Sequence, residues 1–549
     1  MKMLKLATIL DNPGEPEAET QYRDPRELQR LGYNGVVLFE TTALSGVAAV
    51  EDIDRGEVRR WIEHHFEVVE HRIRDAVAAG LGVYLVYDVL SLPKEVVKAH
   101  LDEIGCRNRP ATLCPASDVA IHRSVDALRS LLDRLPDVDG IVLRFGDNDA
   151  ARLPHLTGND IYQPHCPRCS QLGRMDRILS VVEPFYRLVV EQMSKRLIMR
   201  AWNVRPNGLH DSLDLCRRVR ERLPGDPKHD GLIMSFKFTQ TDFWRYQRWN
   251  QASLVFGDRP IIYELECQRE FEGKGTIPNW QVPLWRDGPG EVVDEQIGLA
   301  RVGEQVNLAG LWAWVRGGGW GGPFVENESW IDANAFAVPR LADRPDLDPR
   351  GLADDWIRER LDIHDAEVVS VLRTILEHSP QTVLQAFYIG PFAQSRPDPW
   401  HPNADWIQDD LIDAQALWRM IGRVPEGQLD QIVTEKREAV ERIAGDHVVL
   451  HRHVTAANRL KLEPLVQSLV YAESLLRVLY HLTAGLVAYR QLERTHDQTA
   501  RARCRRHLVD AQAHWNHHTQ RHSSLSGVGT AFRATQLWPM TQRLLSEVG

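Results

Sequence analysis

Short, nearly continuous apolar runs alternate with longer stretches of helical periodicity through the first 320 residues. The runs fall at Leu4–Leu10, 35–39, 82–87, Gly140–Arg144, 196–202, 231–238, 260–265 and 309–315. A strand that is apolar throughout, rather than at every second position, suits a parallel sheet covered on both faces. The intervening segments 58–79, 119–135, 179–195, 212–223 and 292–306 place apolar residues three or four apart, the helical spacing. Eight strands joined by helical crossovers predict an α/β chain that closes into a (β/α)8 TIM barrel. Beyond Trp330 the strand-like runs stop, and long helical patterns take over at 367–377, 426–443 and 462–492. The expected division is a barrel over 1–335 and a mainly α-helical C-terminal domain over 336–549. The Pro-, Asp- and Arg-rich stretch 339–351 is the expected junction. An apolar stripe at 465–482 reads as helix core or as the seam of a homodimer.

Composition narrows the class. A chain of 549 residues is too long for one core, which agrees with two or three domains. No apolar run approaches eighteen residues, so no membrane span is expected. The first fifteen residues carry two lysines and a short apolar run but no small-residue cleavage pattern, so no signal peptide is expected either. Seven cysteines, an odd number, do not suggest a disulfide framework, and a cytoplasmic location is the expectation. The formal net charge of −10 speaks against a nucleic-acid partner. It also means that any anionic ligand needs a local group of Arg and Lys inside a repulsive field.

In a barrel of this kind the chemistry lies at the C-terminal ends of the strands. The fourth run ends in Arg144, followed by Asp147, Asn148 and Asp149; the fifth carries Arg200, Trp202 and Asn203. The sixth gives Lys237 and then Asp242, and the seventh Glu264, Glu266 and Glu270. The eighth supplies Trp312, Trp314 and Arg316, then a Gly-rich segment holding Trp320. Carboxylates at several strand ends are what general acid and base work on a glycosidic bond requires. Arg144, Arg200 and Lys237 among them suggest a carboxylate or phosphate on the ligand. Trp202, Trp244, Trp312, Trp314 and Trp320 offer flat faces that pack on sugar rings. Together they point to an oligosaccharide carrying an acidic sugar. Plainer readings stand beside this one. Lys237 and Arg200 can pair with Asp242 and the strand-seven glutamates as barrel-closing bridges, and the tryptophans can be core. The Gly-rich segment lacks the Lys-Ser/Thr of a phosphate loop.

These residues resemble the α-glucuronidases of glycoside hydrolase family 67 over roughly 140–360. Lys237 to Phe243 is similar to the family's motif of Lys, four residues, Asp and Phe. Glu264 to Phe271 resembles its Glu-Phe-Gln-x-Thr-Gln-Glu-Tyr segment, and Asp242 and Glu270 are 28 residues apart, as in the family. Met199-Arg200-Ala201-Trp202 looks like its Trp-Arg-Ala-Phe. Asn334 to Ala342, followed by Ala353-Asp354-Asp355-Trp356, is similar to the start of its helical domain. The resemblance implies an inverting exo-α-glucuronidase that releases (4-O-methyl-)glucuronic acid from xylo-oligosaccharides, as in xylan degradation. It implies Asp242 and Glu270 as the carboxylates that activate water. Arg200 and Lys237 would bind the uronate, with Arg144 in place of a further lysine. From their places at the strand ends, and not from the resemblance, Glu264, Glu266, Trp202, Trp312, Trp314, Arg316 and Trp320 are expected to line the substrate site. The family's acid is a glutamate four residues after that lysine. Here the position is Asn148, and either flanking residue, Asp147 or Asp149, can serve if the loop shifts by one. The family also has a β-rich domain before its barrel, whereas this sequence opens on the first strand-like run, so a sibling family is the alternative expectation. Another uronide such as an α-galacturonide, or a non-catalytic carbohydrate-binding barrel, are the other readings.

No cofactor and no active-site metal are expected. Cys166-Pro167-Arg168-Cys169 can form a four-thiolate zinc site with Cys106 and Cys114, but those two are eight apart, so a loop brace or unpaired buried thiols is the preferred reading. His507, His514, His517, His518 and His522 read as a solvated helix face.

Overall fold

The eight apolar runs pair side by side into one closed parallel barrel. Its strands are β1 (Leu4–Leu10), β2 (Gly35–Leu38), β3 (Gly82–Asp88), β6 (Gly140–Arg144), β7 (Arg196–Arg200), β8 (Leu232–Lys237), β9 (Pro260–Glu266) and β10 (Asn307–Gly317), and β10 closes on β1. All eight expected strands are present. The computed structural model describes residues 2–549 apart from 12–16, 41–43, 45–55, 147–149, 159–160, 226–230, 293–296, 318–326, 395–412 and 523–536. One feature of the sheet was not expected: an antiparallel hairpin, β4 (Gly105–Cys106) and β5 (Arg109–Leu113), in the connection after β3.

The crossover helices form where apolar residues recur on one face and a cap starts them. Asp118–Arg134 begins at Ser117, whose hydroxyl accepts the Ala120 N–H, and it buries Ile121, Leu128, Leu131 and Leu132. Gly56–Ala78 and Leu213–Arg220 match expected segments closely, whereas the segment expected over 179–195 starts earlier, as an α-helix at Arg174–Tyr186 that continues as a π-helix over Arg187–Gln192. The segment expected to be helical over 292–306 is helical only at Leu299–Val302 among the described residues.

After β10 the chain is helical. Ser329–Asp343 packs on β10 and β1, and 339–351 runs from its last turn into Pro349–Glu359. Ala366–Phe387 starts at Asp365, whose carboxylate accepts two backbone N–H groups. The long helix Arg459–Thr495 lies between Leu429–Arg452 and Gln498–His522 and buries the 465–482 stripe against the chain itself. Of the histidines expected on a solvated face, His517 is exposed, but others are not. His518 and His522 are buried against Tyr471, and His514 stacks on His481, because aromatic positions on two adjacent helices meet. No helix among the described residues is long and apolar enough to cross a membrane.

Candidate active site

Side chains alternate between the two faces of a strand, so residues two apart share a face. Ser235 with Lys237, Glu264 with Glu266 and Trp312 with Trp314 therefore point in pairs to one side. The register places Arg200 beside Ser235, Lys237 beside Glu264, and Glu264 beside Trp312. The upper barrel is thus filled with charge and indole, where branched apolar residues usually sit.

Each cation there meets a carboxylate. Arg200, fully buried, donates from Nε to Glu264 Oε1 at 2.9 Å and from Nη2 to Oε2 at 2.9 Å, and Ser235 adds a third bond to Glu264 at 2.9 Å. Lys237 pairs with Asp242. Its ammonium stands 4.3 Å from the ring centres of Trp202 and Phe243 and 4.7 Å from that of Trp314, a cation–π box. Arg144 pairs with Asp88 at the end of β3 through two bonds of 2.5 and 3.0 Å. The bridging alternative thus describes the Arg200–Glu264 and Lys237–Asp242 pairs.

Donors remain over. Arg200 Nη1, Trp312 Nε1, Trp314 Nε1 and Gln268 Nε2 are buried with no acceptor among the described residues. The guanidinium of Arg200 lies 5.0 Å from the Trp314 ring centre and 5.7 Å from that of Trp312. Buried polar groups are normally bonded, so a group of donors like this can take an acceptor-rich ligand.

A carboxyl corner lies next to them. Asp242 and Phe243 both hold positive φ, 45° and 61°, and Arg269 has φ 58°. Such backbone costs of order 1–3 kcal/mol per residue and collects at functional sites. Glu266 accepts the Glu270 N–H at 3.1 Å and pairs with Arg269 at 3.2 Å. Burial raises the Glu266 carboxyl to about 7 against the opposing pull of Arg269 and Lys237, and Asp242 raises it further. Six residues along, Glu272 behaves in the opposite way. Burial raises it too, but Arg269 at 2.7 Å and the Tyr388 hydroxyl at 2.6 Å overrule that and hold it at about 2. Two carboxyls on one loop with ionisations this far apart can divide proton holding from charge anchoring.

The remaining sequence candidates distribute as follows. Asp147 and Asp149, with Asn148, and Trp320 lie outside the described residues. The chain on either side of 147–149 is fixed: Asp88 holds Arg144 before it and accepts the Ala150 N–H after it at 2.8 Å. At Gly146 a Cβ would come within 2.1 Å of Asn203 Oδ1, so only glycine lets the β6 and β7 ends approach this closely. Arg316 forms an ion pair with Glu328 at 2.9 Å and donates from Nη1 to Gln268 Oε1 at 2.8 Å. Trp202 and Trp244 are buried, and Trp202 meets His210 edge-on at 5.0 Å. Burial, and then Lys237, push His210 down to about 3, which keeps it neutral. Asp88, His210, Gln268, Arg269, Glu272 and Tyr388 were not singled out in the sequence. Asp88 ends an apolar run and Tyr388 belongs to the helical region, so position relative to the barrel ends pointed only to the former.

No protein-family model matches the chain, and no curated protein matches it. Solved structures do. A GH138 enzyme targeting pectin rhamnogalacturonan II aligns over 99% of this chain and 83% of its own at 11% identity, with a TM-score of 0.57. An O-GlcNAc hydrolase from Thermobaculum terrenum aligns over 100% and 94% at 10% identity, with a TM-score of 0.45. A GH20 exo-β-N-acetylglucosaminidase from Vibrio harveyi aligns over 63% and 54% at 9% identity, with a TM-score of 0.32. At 11% identity the likeness to the first of these is one of fold, and it runs over nearly the whole of this chain.

Proposed function

We propose that the chain is an exo-acting glycosidase that removes a terminal uronic acid, an α-glucuronide first of all, with inversion at the anomeric carbon. One juxtaposition carries the reading: unmet buried donors on Arg200, Trp312 and Trp314 beside the carboxyl corner of Asp242, Glu266 and Glu270. A carboxylate on the sugar accepts from several N–H groups at once, and a charge-assisted bond to guanidinium is the strongest of these. The shared fold with a glycoside hydrolase supports the reaction class.

In this reading Arg200, held rigid by Glu264, binds the uronate through its unmet Nη1. Lys237 fixes Asp242 in place. Asp242 and Glu270 hold the attacking water, and Glu266, poised near neutrality, accepts its proton as the C–O bond forms. Asp147 or Asp149, in the sequence between Arg144 and Ala150, which both bond Asp88, donates a proton to the departing oxygen. Such acid and base carboxyls stand roughly 6.5–9.5 Å apart in inverting enzymes. An α-galacturonide is the second reading, favoured by the likeness to an enzyme that targets a pectin, an acidic polysaccharide.

The test is a panel of aryl α-glucuronide, α-galacturonide and neutral α-glucoside, with the released anomer read by NMR. The first reading expects glucuronide hydrolysis with inversion and a preference over glucoside on the order of 10⁴-fold, because a neutral sugar leaves the donors unmet. Galacturonide alone selects the second. Uronide binding with no release of aglycone, or equal turnover of the glucoside, refutes both.

A further inference from the structure

Outside the barrel mouth, four cysteines converge. Cys106 ends β4, Cys114 follows β5, and Cys166 and Cys169 lie on the long connection after β6. All four are free and buried, and their sulfur atoms lie within 4.8 Å of one another. Cys114 Sγ is 3.7 Å from Cys166 Sγ, and Cys166 Sγ is 3.6 Å from Cys169 Sγ. A disulfide is about 2.05 Å long. A tetrahedron of thiolates around zinc, with Zn–S of about 2.3 Å, has edges of about 3.8 Å. The spacing is that of ligands around an ion. The thiols also form a group of their own, apart from the main hydrophobic core, with Ala116 as apolar company.

We propose that Cys106, Cys114, Cys166 and Cys169 bind one structural zinc ion that ties the β4–β5 hairpin to the connection after β6. The local backbone is built to hold thiolates. Cys169 Sγ accepts the N–H groups of His165 and Cys166 at 3.1 and 3.3 Å. Arg168, between the two close cysteines, donates to the carbonyls of Glu103 at 3.0 Å and Gly105 at 2.9 Å, so its positive charge stands over a site that becomes anionic when loaded. A surface hollow lined by Asp102, Gly105, Arg107, Cys166, Pro167 and Arg168 gives the ion a way in. On binding, each thiol passes its proton to solvent as its S–Zn bond forms. Four protein ligands leave no open position, so the ion braces and does not catalyse. What it braces matters: the same connection begins at Arg144 and Gly146, directly before 147–149.

The test is metal analysis of the intact purified chain, before and after a mercurial reagent, with cobalt replacement as an optical probe. About one zinc per chain is expected, released as the thiols are titrated, and cobalt should give the visible bands of tetrahedral thiolate ligation. Cys166→Ser with Cys169→Ser should lose the metal, whereas Cys216→Ser, buried elsewhere, should keep it. The wild-type measurement stands whether or not the double variant folds. No bound metal, iron in place of zinc, or a count of fewer than seven free thiols after denaturation in chelator overturns the assignment.

Discussion

Replacing Glu266 by Gln tests the carboxyl corner through stability as well as rate. The folded carboxyl protonates near 7 and the unfolded one near 4.5. Below about pH 4.5 both states hold the proton and the residue is neutral in its effect. As pH rises from there to 7 the unfolded chain sheds its proton and the folded chain does not, so stability falls. Above 7 the full cost of an ionised, buried carboxylate is present. A shift of two to three pH units at 1.36 kcal/mol each amounts to about 3 kcal/mol. Gln has no charge to desolvate and can still accept the Glu270 N–H. Whatever Gln loses at Arg269 is lost at every pH. The stability of Glu266→Gln relative to wild type should therefore rise by about 3 kcal/mol between about pH 4.5 and about pH 8. Urea unfolding followed by the fluorescence of the 16 tryptophans measures the difference at each pH. Wild-type turnover should also decline as pH drops through 7, and the variant should lose both that limb and most of its rate. A stability difference equal at the two pH values refutes the assignment of a proton-holding Glu266.

Three other outcomes are expected. Arg200→Ala leaves Glu264 charged and alone in the barrel, so it should cost about 3–5 kcal/mol by denaturant titration; Arg200→Met with Glu264→Met should recover most of that while uronide affinity stays lost. Asp242→Asn should lower kcat by on the order of 10²–10⁴ while a uronate still binds with near wild-type heat in calorimetry, and unchanged turnover would remove Asp242 as a holder of the attacking water. Gly146→Ala pushes a methyl against Asn203, so kcat should fall with little change in thermal midpoint if the loop after β6 yields rather than the barrel.

The barrel was legible because its strands are covered on both faces and so read as apolar runs. Arg144, Arg200 and Lys237 could be found as strand-end cations, and the bridging alternative for two of them could be stated, but choosing it needs the register. Lys237 beside Glu264 in the sheet nonetheless pairs with Asp242, five residues on, because the left-handed backbone at Asp242 turns the loop back. Glu266 and Glu272 are the same residue type on one loop, and only burial and partners separate them. Cys106 and Cys114 looked too far apart for a metal knuckle until the unexpected hairpin folded them together. The buried histidines of the last helices depend on which aromatic side chains face them from a neighbour.

Tyr388 reaches out of the helical region to hold Glu272, and Ser379, earlier in the helix that ends before Tyr388, accepts the Trp280 N–H at 2.8 Å. The strand-end loops are therefore finished by a tyrosine and a serine encoded more than a hundred and ten and about a hundred positions downstream of their partners, respectively. A gene trimmed to the barrel would deliver every proposed catalytic side chain and yet leave Glu272 without its hydroxyl and Trp280 uncapped. Engineers grafting this scaffold onto another host should carry the two halves together.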